Sequence, residues 1–173
     1  MIEFEESGMQ FSFPEASFFH LEKSSVYKKL RSHGVASVEG ILLKEIKKKS
    51  TIILIEAKKS TPDMSSGNNK KKQEDFLSSL EDKVSHSIQI CYAILHGRYG
   101  NDSDKYMMGE SLRRAFAMPV CIMFILIVKE YEDDWCNQMK DALEMKLRAL
   151  RKVWGMNVMV LNEKMAHKYK LIK

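Results

Sequence analysis

Glu56 and Lys58 stand two apart at the end of the run Thr51-Ile52-Ile53-Leu54-Ile55-Glu56-Ala57-Lys58-Lys59. In a strand, residues two apart share a face. A carboxylate and an ammonium therefore leave the sheet together, on the face of Ile52 and Leu54. Glu39 interrupts a second apolar run, Val38-Glu39-Gly40-Ile41-Leu42-Leu43, and Gly40 beside it permits a bend or a close backbone approach. Glu22 falls on the stripe Glu22, Val26, Leu30 of a predicted helix. Carboxylates on elements that otherwise read as buried need partners. Gathered in one place, such anions repel one another and either take up protons or bind a divalent cation. Carboxylate oxygens suit Mg²⁺ or Mn²⁺, which keep several waters and bind phosphates. Such a cation supplies a polarised phosphoryl oxygen and an acidified water. Lys58 would orient that water or offset charge growing on the phosphate. Taken alone, Glu-x-Lys at a strand end equally describes an exposed ion pair worth under about 1 kcal/mol, and Glu22 could pair with Lys23 or Lys44.

The elements that must carry these residues follow from periodicity. Phe19, Val26 and Leu30 predict a helix over about 17–33, closed by Gly34. Residues 35–46 and 51–59 read as strands around the polar turn Lys47-Lys48-Lys49-Ser50, hence a hairpin. The second strand is apolar on both faces, as a central covered strand would be. Residues 60–73 have loop composition, with mobility expected around Gly67. Leu77, Leu80, Val84, Ile88, Cys91 and Leu95 predict a helix over about 74–95. Tyr99-Gly100-Asn101-Asp102 is a turn signal, and 110–117 a short helix. Pro119 opens an apolar strand over 120–128. A helix begins at Asp133 or Asp134, with Trp135, Met139, Leu143, Leu147, Leu150 and Trp154 inward and Gly155 past its end. Residues 156–161 form a last strand, and the basic tail has no clear assignment. The order helix-strand-strand-helix-strand-helix-strand implies an α/β chain of the α+β kind, a mixed sheet with helices on its faces. It reads as one domain over 1–173 with a flexible Lys-rich loop at 60–73. The methionines, Phe18-Phe19 and both tryptophans are expected in the core.

Composition narrows the classes. The chain has 173 residues, 45% hydrophobic and 29% charged, enough to bury a core without disulfides or zinc. Disorder and collagen-like or coiled-coil architectures are excluded by apolar content and by 8 Gly and 3 Pro. The longest apolar run, Val120 to Val128, has nine residues, whereas a spanning helix needs about 20. The acidic start Met-Ile-Glu-Phe-Glu-Glu lacks signal-peptide features. Cys91, Cys121 and Cys136 read as free thiols in a reducing cytoplasm, and five scattered histidines make zinc improbable. Net charge is +5, and residues 20–75 carry 13 Lys/Arg against 7 Asp/Glu, an excess of 6. That excess allows a polyanionic partner. Lys59, Lys70, Lys71 and Lys72 are the candidates to grip a phosphate backbone, the last three from the loop. The Lys47–Lys49 turn reads slightly better as a solvated turn.

With this element order, the sequence resembles the PD-(D/E)XK nuclease superfamily, the restriction-endonuclease-like fold. The residues that carry the resemblance are Ile53-Leu54-Ile55-Glu56-Ala57-Lys58, the upstream acid Glu39 seventeen residues before Glu56, and Glu22 as the acid of the first helix. The resemblance covers roughly 17–161, but residue by residue only Glu22, Glu39, Glu56 and Lys58 match. It implies Mg²⁺- or Mn²⁺-dependent cleavage of phosphodiester bonds, usually in DNA. Glu39, Glu56 and the Ala57 carbonyl would hold the metal, with Glu22 and Lys58 completing the site. The family's usual Asp is Glu39 here, preceded by Val38 and not Pro. Gln89 and Tyr92 are three apart where some branches have Gln and Tyr four apart, so that feature is not carried over. Because of Glu39, a catalytically inactive nucleic-acid- or protein-binding module on the same fold is the alternative. A metal hydrolase of nucleotides or small phosphates is a third reading, which the basic face mildly disfavours. A chain of this size leaves room for a homodimer or a targeting partner protein.

Overall fold

A computed structural model describes residues 1–64, 69–99 and 103–173. The expected mobility around Gly67 lies outside those residues, as do residues 100–102 of the turn expected over 99–102.

The chain opens on a hairpin, β1 (Ile2–Glu6) against β2 (Met9–Phe13), turned by Ser7 and Gly8 at φ 54° and 74°. A second sheet has the order β3 (Phe18–Phe19), β4 (Gly40–Ile46), β5 (Lys49–Lys58), β6 (Cys121–Val128), β7 (Asn157–Asn162). β3, β4 and β5 pair antiparallel; β5, β6 and β7 pair parallel. This is the expected mixed sheet. The β4–β5 turn is two residues, Lys47 and Lys48, at φ 49° and 63°, the left-handed pair that a type I′ hairpin turn needs.

Both faces of the sheet are covered, which explains why β5 is apolar on both sides from Ile52 to Ile55. Ile41, Ile52, Leu54, Phe124, Leu126 and Val158 meet the apolar stripes of α2 (Lys70–Leu95), α4 (Glu110–Phe116) and α5 (Asp133–Lys146) on the first face. Ile53, Ile55, Ala57, Ile125 and Ile127 meet Phe4, Phe11, Phe13, the short helix α7 (Glu163–Lys168) and Leu171 on the second. Cys91 and Cys136 are buried and Cys121 half-buried, all as free thiols. Among the described residues no helix is long and apolar enough to cross a membrane.

Several expectations need correction. The helix over 17–33 is broken into β3, a 3-10 turn (Leu21–Lys23), α1 (Ser25–Leu30) and a second 3-10 turn ending at Gly34. Ser24 takes an extended conformation and its hydroxyl accepts from Tyr27 N, while Asp104 of α3 (Ser103–Met107) accepts from Ser25 N and Val26 N. The helix therefore starts at Ser25, where its free amides find acceptors. Lys70–Gln73 are the first turn of α2, not loop. The helix over 133–154 divides into α5 and α6 (Arg148–Trp154) at Leu147, and Arg151 Nη1 donates to the Glu144 carbonyl at 3.3 Å. Trp135 is 43% exposed rather than core, and Met107, Met118 and Met145 are exposed too. Phe18 and Phe19 are buried as expected.

Candidate functional site

The site is built where β4 begins. Gly40 pairs with Ile55, so Glu39 and Glu56 each lie one step beyond the last pair. By alternation they share the face of Ile41 and Leu54. Gly40 is required there: a Cβ would stand 2.3 Å from Phe18 Cζ. The segment before β4 is tied to α2, with Val38 N donating to Ser87 Oγ at 2.9 Å and Ala36 N to His86 Nδ1 at 3.1 Å. One helical turn before Ser87 on that helix stands Lys83.

Lys83 gathers the acids. Its Nζ lies 2.7 Å from Glu56 Oε1 and 4.0 Å from Glu22 Oε1. Lys58 Nζ reaches the same Glu56 oxygen at 2.5 Å. Glu56 is wholly buried, Glu39 is 3% exposed, and Glu22 arrives from the 3-10 turn at the protein's edge. The other Glu56 oxygen, Oε2, is buried with no hydrogen-bond partner, a costly state for a carboxylate.

Charge follows from this crowding. Burial, and then the neighbouring Glu56, Glu22 and Glu6 carboxylates, push the Glu39 carboxyl up to about 9 against the opposing Lys83 charge. Glu39 is therefore protonated at neutral pH. Burial opposes the Lys83 charge, but Glu56, Glu39 and Glu22 outweigh it and hold that ammonium above the ordinary lysine value.

The donor set is one a hard divalent cation accepts: carboxylate oxygens, one of them orphaned, at the end of a strand. Among the described residues no three His, Cys, Asp or Glu side chains are grouped at metal-holding distance. Mg²⁺ is commonly held by one or two carboxylates with waters completing its shell, and the Glu39–Glu56 pair offers that number. The Ala57 carbonyl already accepts from Ser7 Oγ at 3.2 Å.

Of the residues singled out in the sequence, Glu22, Glu39, Glu56 and Lys58 therefore come together, around a lysine that was not singled out. The lysines expected to grip a phosphate backbone do not join this cluster. Lys59 pairs loosely with Glu130 at 3.7 Å. Lys70, Lys71 and Lys72 are exposed on the first turn of α2, roughly 16–20 Å along the axis from Lys83. Lysines there oppose the helix dipole, and no acid stands in that turn.

Two features escaped sequence reasoning. Lys83 lies beside the stripe residues Leu80 and Val84, but nothing local distinguishes it from a solvated lysine. The turn of the β1–β2 hairpin also reaches the site: Ser7 binds Ala57, Lys129 Nζ donates to Gly8 O at 2.6 Å, and the Glu6 charge is felt at Glu39. Its signal was present in the alternation Ile2, Phe4, then Met9, Phe11, Phe13.

Comparison with protein-family models, with curated proteins and with solved structures finds no match for this chain.

Proposed function

We propose that the chain is a divalent-metal-dependent nuclease of the PD-(D/E)XK kind, cleaving phosphodiester bonds in nucleic acid, with DNA as the preferred substrate. The observation that carries this reading is Glu56: a wholly buried carboxylate at the end of a central strand, with one oxygen unpartnered and Glu39 and Lys58 beside it. The mixed sheet, with its antiparallel hairpin leading into parallel strands, supports the same reading.

In this mechanism Glu39 and Glu56, with the Ala57 carbonyl, would hold Mg²⁺ or Mn²⁺, and Glu22 would flank them. Such a cation would supply phosphoryl polarisation and an acidified water. Lys58 places its ammonium beside the charge that grows on the phosphate. Lys83 offsets the Glu56 charge and keeps that carboxylate aligned before substrate arrives. Glu39 would have to give up its proton to serve as a ligand. Lys59 and the Lys70–Lys72 turn would contact the phosphate backbone away from the carboxylates.

The test is incubation of purified protein with plasmid DNA, linear DNA and RNA in Mg²⁺, Mn²⁺ or EDTA. Metal-dependent cleavage lost in Glu56→Gln and in Lys58→Ala is expected. Glu56→Gln is preferred to Glu56→Ala because it keeps an oxygen against Lys83. Absence of cleavage with every metal and substrate sinks the reading.

A second reading rests on a specific observation, the engagement of Glu56 Oε1 by two lysines. If those lysines permanently neutralise the site, the fold is a binding module without catalysis. Salt-sensitive nucleic-acid or protein binding that survives both EDTA and Glu56→Gln would then be found in place of cleavage.

A further inference from the structure

The second face of the sheet is not covered evenly. The β1–β2 hairpin and α7 close most of it, but a pocket of about 350 Å³ opens between the β4–β5 turn and the C-terminal segment. That volume lies within the roughly 300–1,000 Å³ of small-molecule sites. The register sets its floor: Ile53 pairs with Met123, and Ile125 with Met159, across three neighbouring strands. Ile53 and Ile125 are buried, whereas Met123 and Met159 are only partly covered. Methionine is the side chain that best adapts to a flexible apolar occupant.

The rim has the opposite character. Lys44, Lys47, Lys168 and Lys170 stand around the pocket, and Glu45 is the single acid among the described residues that line it. Lys44 Nζ is anchored to the Tyr169 carbonyl at 2.7 Å. Burial, and after it the Lys170 charge, holds the Lys44 ammonium below the ordinary lysine value. Four lysines thus stand against one acid among the described residues lining the pocket.

Two of these lysines also sit where the backbone prefers glycine or asparagine. Lys47 lies at φ 49° in the hairpin turn and Lys170 at φ 55°. Lys170 N donates to His167 O and Leu171 N to Ala166 O, the two bonds of a Schellman turn closing α7, whose left-handed position is usually Gly. A strained residue that carries a charge to a pocket rim is an observation from which function can be argued.

We infer that this pocket binds an anionic amphiphile, its aliphatic chain lying on the Ile53, Met123 and Met159 floor and its carboxylate or phosphate head among Lys44, Lys47, Lys168 and Lys170. The site is on the opposite sheet face from Glu56 and is independent of the nuclease reading. Apolar floor and cationic rim together select the ligand: a neutral lipid leaves the lysines unmatched, and an inorganic anion leaves the floor wet.

The experiment is a titration of the full chain, labelled at its methionine methyls, with dodecanoate, dodecyl phosphate or dodecyltrimethylammonium below their aggregation ranges. Saturable shifts of the Met123 and Met159 methyl signals are expected with one or both anions and not with the cation. Whichever anion binds more tightly identifies a carboxylate or a phosphate source. The pair Lys44→Gln with Lys170→Gly should weaken binding about tenfold, and since Gly suits the turn at position 170, Lys170→Gly alone should not lower the thermal melt. Vesicles of anionic phospholipid form a further arm. The inference is overturned if neither anion gives saturable shifts, if the cationic amphiphile binds equally, if the lysine substitutions leave affinity unchanged, or if vesicles alone bind while the two methyl signals stay still.

Discussion

Lys83 Nζ and Glu56 Oε1 meet at 2.7 Å although 27 residues separate them in the chain. The contact joins the long helix to the central strand and cancels charge that would otherwise be stranded beneath the helix. Breaking a buried pair by removing one partner costs about 3–5 kcal/mol. Lys58 remains in Lys83→Met, so a loss near the lower end, about 3 kcal/mol, is expected by urea denaturation at neutral pH. A loss under about 1 kcal/mol would mean that Lys58 alone satisfies Glu56.

Glu39 gives the fold a pH dependence with a definite sign. Its carboxyl stands at about 9 in the folded chain against an ordinary value of 4.5. Between those values the folded chain holds the extra proton. The contribution to stability is complete below about pH 4.5 and is lost as pH rises toward 9. Glu39→Gln, which stays neutral, should flatten that decline and be the more stable protein at pH 9. Melting curves of both proteins from pH 4.5 to 9 check this, and parallel curves would count against a protonated Glu39.

His20 acts in the other direction. Burial, and then the Lys23 charge, lower its imidazole to about 4 from 6.5, and its ring packs on Phe4 at 4.5 Å and near Phe18 at 6.0 Å. Here the unfolded chain binds the proton more readily. The contribution is complete above pH 6.5 and is lost as pH falls toward 4. His20→Leu should remove that acid limb. The two windows overlap between pH 4.5 and 6.5 with opposite slopes, so the single variants must be measured separately.

Gly40→Ala tests how the acids are placed. The new methyl would meet the Phe18 ring at 2.3 Å and 2.6 Å, and overpacking of this kind costs about 1–3 kcal/mol. The proposed metal-dependent cleavage should fall by more than the loss of folded protein accounts for, because Glu39 is the adjacent residue. Wild-type activity in the folded fraction would show that the site tolerates this displacement.

For Lys70, Lys71 and Lys72, replacement of all three by Gln should weaken binding to unrelated duplex sequences alike. The slope of log affinity against log salt should decrease by about 2–3. An unchanged slope would remove these lysines from the proposed interface.

The sheet was largely legible because its strands are covered on both faces or alternate cleanly. Ile52 to Ile55 and Val120 to Val128 could be little else than buried strands, and the β4–β5 hairpin followed from its polar turn. Gly34 and Gly155 marked helix ends, and both adopt the left-handed conformation at φ 76° and 59°. The first helix was misread because Phe19, Val26 and Leu30 fit a helical period while Ser24 and a distant Asp104 decide where the helix starts. The same limit hid Lys83: spacing identifies the face a residue occupies, but not which strand end that face meets. Glu39, Glu56 and Lys58 could be found because a charge inside an apolar run is conspicuous.

The turn at Lys47 and Lys48 acts as a gauge for the distant acids. The six residue steps from the Ile46–Lys49 pair to the Gly40–Ile55 pair run without a bulge, so loop length alone decides which residue faces Glu56. One residue inserted into that turn, with the ladder re-forming around it, would rotate the β4 side chains to the opposite face. Glu39 would then point toward the aromatic hairpin and Gly40 would inherit its place. A lesion far from the carboxylates would dismantle them while leaving every one of their residues intact.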